Sequence, residues 1–231
     1  MGKGILAFLV FALFSAAMPS YGEGPDEPVD VRRIRMRSVR NLLKTEKVKK
    51  ASDYKNITTS CYNPADSLEY HVNLKTFVVK ARLEEVWKRY VSLSPRMAWN
   101  GRMVRFGFLY SRQANRFVYP ENADEPISVG NIVYVNLRML AGLKNLGVAF
   151  EITGIDEAGK TISFCYLDKG VTNGSQEIHF ENLPDGSTRI SHLTHFKSKS
   201  AFRDRELYPV FHERFVGEFH ENILRQIVSE F

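Results

Sequence analysis

The chain has 231 residues, 44% of them hydrophobic, and a formal net charge of +6 at pH 7. This length is sufficient for one domain with an extension, and it can bury a core without the support of disulfide bonds. It therefore excludes a small scaffold that is held together only by cysteines. Beyond the first 22 residues, no stretch is apolar enough to predict a membrane-spanning helix.

The first 22 residues have the pattern of a secretory signal peptide. Lys3 supplies a positive charge, the ten residues from Ile5 to Phe14 are all apolar, and small residues follow them. We expect cleavage after Gly22, with a cut after Ala17 as the second choice. The apolar run is short for a bilayer span, and an uncleaved membrane anchor is the alternative. The predicted location is therefore outside the cytoplasm, in a periplasm or secreted.

Residues 23–69 are interpreted as a basic, partly helical extension and connector. Between Arg32 and Lys50 the sequence has nine basic residues and one acid, Glu46. Apolar residues recur among them at helical spacing, which predicts a helix from Val31 to about Lys50 with Asp30 as its cap. Such a helix can lie along an anionic membrane or along its own domain, and the sequence leaves both open. Nucleic acid is not expected as a partner of an exported protein.

Cys61 and Cys165 are the only two cysteines. In an oxidising compartment they can form a disulfide bond. Their spacing does not show whether they lie close enough in space, so a bond and two separate thiols both remain open.

The region from residue 70 to 231 begins with a strand, His71–Lys80, and an amphipathic helix, Arg82–Leu93. A short helix or turn is expected at Arg96–Gly101. Six runs with strand character follow: Arg105–Ser111, Asn131–Leu137, Gly147–Ile155, Thr161–Leu167, Ser175–Glu181 and Thr188–Phe196. Tight turns at Asp156–Gly159 and Leu183–Gly186 place glycine where a positive φ is expected, and they predict antiparallel pairing. Ala114–Pro126 is predicted to be a long polar loop.

The last helix is predicted from Tyr208 to Phe231. Aromatic and aliphatic residues recur along it at a spacing of four, which makes one apolar face: Phe211, Phe215, Phe219, Ile223 and Ile227. That face requires an apolar partner surface, and the concave side of the sheet is the expected one. Arg203–Glu206 is interpreted as a solvated charge cluster that precedes the helix.

This order of elements resembles the helix-grip superfamily of START lipid-transfer domains, polyketide cyclases and birch-pollen-allergen-like proteins. The stretches Gly147–Ile152, Ile162–Leu167 and Gly174–Phe180 are similar to an uncharacterised bacterial branch of that group, and the resemblance covers residues 70–231. It implies an α+β fold in which a curved antiparallel sheet wraps a long C-terminal helix. It also implies a hydrophobic cavity between sheet and helix, because members bind lipids, sterols, polyketides or hormones, and only some of them are enzymes.

Alternation along the strands then predicts which side chains line that cavity. Four of them are polar and would orient a ligand on an apolar wall: Tyr166, Gln176, His192 and Thr194. The apolar lining residues come from the strands and from the last helix: Phe150, Ile152, Phe164, Ile178, Phe211, Phe215 and Phe219.

No catalytic motif, cofactor fingerprint or metal-ligand spacing is present in the sequence. His192 and His195 are three apart on a strand and face opposite sides, and His212 and His220 are not an i, i+4 pair. The leading hypothesis is an exported protein that binds a hydrophobic small molecule or lipid. The alternatives are a cyclase or hydrolase that uses His192 with Tyr166, and a structural domain with a filled core. A structural histidine is the competing interpretation of His192.

Overall fold

The computed structural model describes residues 26–228. The predicted signal peptide and residues 229–231 of the predicted last helix lie outside them. The strands are β1 (His71–Val79), β2 (Val104–Ser111), β3 (Arg116–Val118), β4 (Asn131–Met139), β5 (Lys144–Asp156), β6 (Thr161–Tyr166), β7 (Asn173–Asn182) and β8 (Thr188–Lys197). The α-helices are α1 (Arg37–Glu46), α2 (Leu83–Ser92), α3 (Pro95–Ala98) and α4 (Tyr208–Val228).

The strands form one antiparallel sheet in the order β1-β8-β7-β6-β5-β4-β2-β3. Consecutive strands from β4 to β8 are neighbours, as tight turns require, and β1 pairs with β8 along its full length. The long helix α4 packs across one face together with α2 and α3. This arrangement confirms the predicted α+β helix-grip fold.

One hydrophobic core lies between that face of the sheet and the three helices. Its largest members include Trp87 and Tyr90 of α2, Phe150 and Phe164 of the sheet, and Phe219 of α4. Burial alternates along β8, where every second residue from Thr188 to Phe196 is inaccessible. The period of two and the helical period of about 3.6 are the sequence signals that place these side chains together.

A second core covers the opposite face of the sheet, and residues 26–60 provide its cover. Ile34, Val39 and Leu43 pack against Phe108 and Tyr134 of the sheet. The approach of α1 is close, because a Cβ atom on Gly147 of β5 would lie 2.6 Å from the carbonyl oxygen of Ser38. The apolar face of the N-terminal segment is therefore buried on its own domain.

The predicted helix from Val31 to Lys50 is wrong in its length. The α-helix covers only Arg37–Glu46, and Lys47 ends it in the left-handed conformation at φ 62°. Asp30 does not cap this helix; its carboxylate instead accepts hydrogen bonds from the backbone and side chain of Arg32. Local turn chemistry therefore interrupts an apolar pattern that was continuous in the sequence.

Three further local predictions require correction. The predicted polar loop Ala114–Pro126 contains β3, a short strand that pairs with β2. At the first tight turn the positive φ falls on Lys160 and not on Gly159, whereas at the second it falls on Gly186 as expected. The cluster at Arg203–Glu206 is not outside the helix, because Arg203–Leu207 form a π-helical turn directly before α4; Arg205 and Glu206 are solvated as expected, whereas Asp204 is buried. That turn precedes Pro209, which has no N–H to continue an α-helical ladder.

Asp204 shows why this turn is ordered. Its carboxylate is only 3% exposed and accepts hydrogen bonds from the backbone N–H and hydroxyl of Ser198, at 2.8 and 2.7 Å. A buried carboxylate requires such partners, and here they join the end of β8 to the start of the last helix.

Cys61 and Cys165 form a disulfide bond across 104 residues. Backbone hydrogen bonds support the same contact, because Ser60 N–H donates to Tyr166 O and Gly174 N–H donates to Ser60 O. The connector is thereby fixed alongside β6 and β7. Within residues 26–228, none of the helices combines the length and the apolar character needed to cross a bilayer.

Glu46 is a buried acid in the second core. Tyr134 donates its hydroxyl hydrogen to Glu46 Oε2 at 2.6 Å, while Oε1 has no hydrogen-bond partner among the described residues. Burial, opposed in part by that hydrogen bond and by Lys169, raises the pKa of Glu46 to about 7. The carboxylate therefore destabilises the folded chain when it is ionised.

We predict that Glu46→Gln stabilises the protein at pH 8 and not at pH 4.5. A folded pKa raised above the unfolded value means that stability is full at low pH and is lost as pH rises through about 7. The pKa of Glu46 rises from 4.5 to about 7, and at about 1.36 kcal/mol per pKa unit this difference corresponds to a loss of about 3 kcal/mol in the free energy of unfolding. Denaturant unfolding at both pH values measures it, with the exposed Glu213→Gln as control. An equal effect of Glu46→Gln at both pH values would contradict the assignment.

Candidate functional site

A two-part cavity lies between the sheet and α4. The inner cavity is small, about 80 Å³, and the outer pocket is about 430 Å³. Both are bordered by Leu137, Val148, Tyr166, His212 and Phe215, so the two volumes adjoin. The interior is therefore largely filled by side chains, and most of the free space lies toward the surface.

The structure distributes the predicted lining residues over three places. The inner cavity contacts Phe150, Phe164, Tyr166, Gln176, His192, Phe215 and Phe219. The outer pocket contacts Phe211, together with Tyr166 and Phe215. Ile152, Ile178 and Thr194 line neither volume and are fully buried in the surrounding core.

Several lining residues were absent from the sequence-based set. They are Trp99, Val104, Val135, Leu137, His212 and Val216 around the inner cavity, and Met139, Leu140, Lys144, Leu146, Val171, Thr172, Arg203, Leu207 and Tyr208 around the outer pocket. For β4 the signal was weak, since residues 131–136 are all buried and do not alternate. Arg203 was missed because the charge cluster Arg203–Glu206 was interpreted as solvated.

Six side chains form a continuous hydrogen-bonded series across the interior, which we name the polar chain. Its members in order are Tyr90, His220, His192, Gln176, Tyr166 and Tyr208. The joining distances are 2.5, 2.9, 2.8, 2.8 and 2.7 Å. The polar chain connects α2, α4, β8, β7 and β6, and its Tyr166–Tyr208 end borders the outer pocket.

Both histidines of the polar chain are held neutral. Burial is the main cause that lowers their pKa, to about 3 for His220 and well below the ordinary range for His192. His192 uses both ring nitrogens, Nδ1 toward His220 and Nε2 toward Gln176. A general base must present a free lone pair to the substrate, and His192 has none in this arrangement.

His212 is a third buried histidine, on the same face of α4. Its Nε2 lies 3.4 Å from Thr194 Oγ1 and its Nδ1 lies 3.3 Å from Asn73 Oδ1. Burial, with the charge of Lys75 as a smaller cause, lowers its pKa to about 3. Although His192, His212 and His220 are neighbours, the described residues contain no group of three or more side chains arranged to hold a metal ion.

Apolar side chains surround the opening of the outer pocket. Leu140 is 62% exposed and Leu207 is 41% exposed, and both line the pocket. Lys144 and Arg203 lie at the same opening. Arg203 donates to the carbonyl of Val171 and to Thr172 Oγ1, both at 2.6 Å, so its guanidinium is fixed at the rim.

We predict that acid destabilises this protein through its three buried histidines. Their folded pKa values are lowered, so their contribution is full above about pH 6.5 and is lost as pH falls toward about 3. The direction opposes that of Glu46, which leaves a net slope of roughly 2–3 kcal/mol per pH unit between pH 6 and 5. Denaturant unfolding at pH 7, 6 and 5 measures the slope, and imidazole ¹⁵N shifts report the charge.

The Glu46→Gln variant provides the control for that slope. This variant lacks the carboxyl group whose protonation opposes that of the histidines. Its free energy of unfolding should therefore fall more steeply as the pH decreases, by the contribution of about one proton, roughly 1.4 kcal/mol per pH unit. Equal stability of the wild type at pH 7 and pH 5 would contradict the prediction, as would imidazolium signals assigned to His192, His212 and His220 in the folded protein at pH 5.

No protein-family model matches the chain, and no curated protein matches it. Solved structures do. Norcoclaurine synthase from Thalictrum flavum, a point mutant in complex with a transition-state analogue, superposes with a TM-score of 0.51 at 14% identity, over 70% of this chain and 96% of that one. The major latex-like protein 151 from Panax ginseng gives a TM-score of 0.48 at 12% identity, over 67% and 95%. An aromatase/cyclase from Streptomyces gives 0.48 at 13%, over 68% and 93%.

At these identities the similarity shows the fold alone. The chain has the helix-grip fold of START-like and polyketide-cyclase-like proteins, which confirms the resemblance inferred from the order of its elements. Residues 26–69, which cover the second face of the sheet, are the part that the sequence had already set apart from that pattern.

Proposed function

We propose that this protein binds a hydrophobic small molecule or lipid in the outer pocket, between the sheet and α4. The observation that carries the proposal is the pocket itself: about 430 Å³, lined mainly by aliphatic and aromatic side chains, with a small number of polar side chains among them. Such a volume and composition are typical of small-molecule sites. The filled inner core limits the ligand to the outer pocket and the adjoining inner cavity.

The alternative of a cyclase or hydrolase is less well supported. It requires His192 to act as a base beside Tyr166, but Gln176 lies between them and occupies one of the ring nitrogens. The alternative of a structural domain with a filled core explains the inner cavity of about 80 Å³ and leaves the outer pocket without a role.

We further propose that the protein is exported. The predicted signal peptide would direct the chain out of the cytoplasm, with cleavage after Gly22. The disulfide between Cys61 and Cys165 supports this location, because such bonds persist in oxidising compartments.

We predict that the wild-type chain, purified without detergent from a host that exports it, carries a bound molecule in native mass spectrometry. The protein mass should correspond to a chain that begins at Glu23, and the extra mass should disappear on denaturation. Leu137→Trp should fill the junction of the two volumes and reduce ligand occupancy at least tenfold. Val78→Trp, on an exposed site of β1, should leave occupancy unchanged.

A clean apo mass, together with no uptake of an added apolar naphthalene dye, would contradict the binding proposal. Equal occupancy in the Leu137→Trp variant, with its fold intact, would place the ligand elsewhere. A protein mass that includes residues 1–22 would contradict processing at Gly22 and the export proposal.

We also propose a peripheral contact with anionic membrane through residues 31–50. Because the apolar residues of this segment are buried on the domain, the contact would be electrostatic and would not involve insertion. Exposed cations support it: Arg35, Arg37, Lys44, Lys47 and Lys49 all lie at the surface.

Arg37→Glu with Lys44→Glu tests this contact. The two positions lie two turns apart on α1 and share a face. We predict that the double variant loses at least tenfold in binding to phosphatidylserine vesicles at low salt, and that 0.5 M salt abolishes wild-type binding. Lys80→Glu with Lys88→Glu changes the net charge equally at exposed sites elsewhere. An equal loss in both double variants would contradict a contact specific to residues 31–50.

A further inference from the structure

The direction of the hydrogen bonds in the polar chain can be derived from its chemistry. A neutral imidazole has one N–H donor and one acceptor nitrogen. Because burial keeps His192 and His220 neutral, each ring must receive one hydrogen bond and give one. All donors in the series therefore point the same way, either toward the outer pocket or toward Tyr90.

Tyr90 selects between the two directions. Its side chain is only 2% exposed, and among the described residues its hydroxyl has a single hydrogen-bond partner, His220 Nδ1. If the series pointed toward Tyr90, Nδ1 would carry the hydrogen, and the hydroxyl hydrogen of Tyr90 would be buried without an acceptor. Such a group costs about 1–3 kcal/mol. The series therefore starts at Tyr90 and donates toward the outer pocket.

The intermediate bonds follow from this start. Tyr90 donates to His220 Nδ1, His220 Nε2–H donates to His192 Nδ1, and His192 Nε2–H donates to the amide oxygen of Gln176. The amide N–H of Gln176 then donates to the Tyr166 hydroxyl. In each of these bonds the donor atom carries a hydrogen and the acceptor atom has a free lone pair.

At the Tyr166–Tyr208 end of the polar chain, one hydroxyl hydrogen has no acceptor among the described residues. Tyr166 and Tyr208 have two hydroxyl hydrogens, and only one of them is used in the 2.7 Å bond between the two oxygens. For the other, the structure from residue 26 to 228 provides no acceptor. Both tyrosines line the outer pocket, so the unused O–H is available there.

Arg203 adds positive potential at the same place. Burial raises the pKa of both phenols, and the charge of Arg203 opposes that rise in part, although the buried Asp204, 3.7 Å from Arg203, acts on Tyr208 in the other sense. The guanidinium is fixed by Val171 and Thr172 at the rim. An electron-rich oxygen is therefore favoured beside the phenol pair by a hydrogen bond and by charge.

We propose that the ligand of the outer pocket carries an acceptor oxygen, of the carbonyl or carboxyl type, and that the Tyr166–Tyr208 pair donates a hydrogen bond to it. The inference rests on the proposed function, since it names the chemical class that the same pocket selects. An apolar molecule that lacks such an oxygen leaves the buried donor unpaired and binds more weakly.

The test uses two dyes with the same skeleton. One is 2-acetyl-6-(dimethylamino)naphthalene, which has a carbonyl acceptor, and the other is its 2-ethyl analogue, which has none. The expected result is at least tenfold tighter binding of the acetyl dye to the wild type. Its carbonyl stretch should also shift to lower frequency in the complex, because the oxygen accepts a hydrogen bond.

The variant Tyr166→Phe with Tyr208→Phe removes both hydroxyls. It should lose the preference for the acetyl dye and the carbonyl shift, while it binds the ethyl dye at least as tightly as the wild type does, because that dye no longer leaves a donor unpaired. Single variants should keep one phenol donor and most of the preference. Tyr62→Phe with Tyr70→Phe, which removes two hydroxyls outside the pocket, should behave as wild type.

Two results would overturn the inference while the binding function stands: equal affinity of the wild type for the two dyes, or a preference that persists in the Tyr166→Phe, Tyr208→Phe variant. Failure of the wild type to bind either dye, together with a clean apo mass in native mass spectrometry, would overturn the proposed function and this inference together. Retained binding of the ethyl dye by the double variant shows that the variant is folded, so that loss of preference cannot be attributed to unfolding.

Discussion

The hydrogen bond between His192 of β8 and His220 of α4 is the contact on which the site depends. It joins the sheet to the long helix through two rings that are nearly or fully inaccessible, at the centre of the polar chain. Apolar packing alone tolerates small shifts of a helix, whereas a buried polar group must keep its partner. The position of α4 over the sheet is thereby specified, and with it the gap that forms the outer pocket. The same requirement makes His192 structural, since a ring with both nitrogens occupied cannot also serve a substrate.

The other face of the sheet packs against a separate hydrophobic core. Residues 26–60 bury Ile34, Val39 and Leu43 against β2, β4 and β5, and the disulfide fixes the connector to β6. This cover explains why β2 and β4 are buried on both faces and lack a clear alternation. The N-terminal segment is thus part of the folded unit. Its basic side chains remain at the surface, because unpaired charges are not buried in an apolar core. The pocket on one face and the cations on the other involve different surfaces of one sheet.

Sequence patterns predicted seven of the eight strands, the last helix and the inward orientation of His192, because these depend on local periods of two and 3.6. They did not predict that His220 would meet His192, since that requires the rotation of α4 relative to β8, which is a tertiary quantity. The length of α1 was missed because one left-handed residue, Lys47, ends it inside an apolar pattern that continues. The pairing of Cys61 with Cys165 depends on how a connector crosses the sheet, and spacing alone contains no information on that path.

The two faces respond to protons in opposite senses. On the α1 face, protonation removes the charge of Glu46, whose pKa lies at about 7, and so relieves a buried carboxylate. On the α4 face, protonation of His192 would place its Nδ1–H against the Nε2–H of His220, and protonation of His220 would place its Nδ1–H against the hydroxyl hydrogen of Tyr90, so either event disrupts the polar chain. Mild acid therefore strengthens the cover over the second core while it weakens the attachment of α4. Acid unfolding should for this reason begin at the pocket, because that is the face whose hydrogen bonds require neutral histidines.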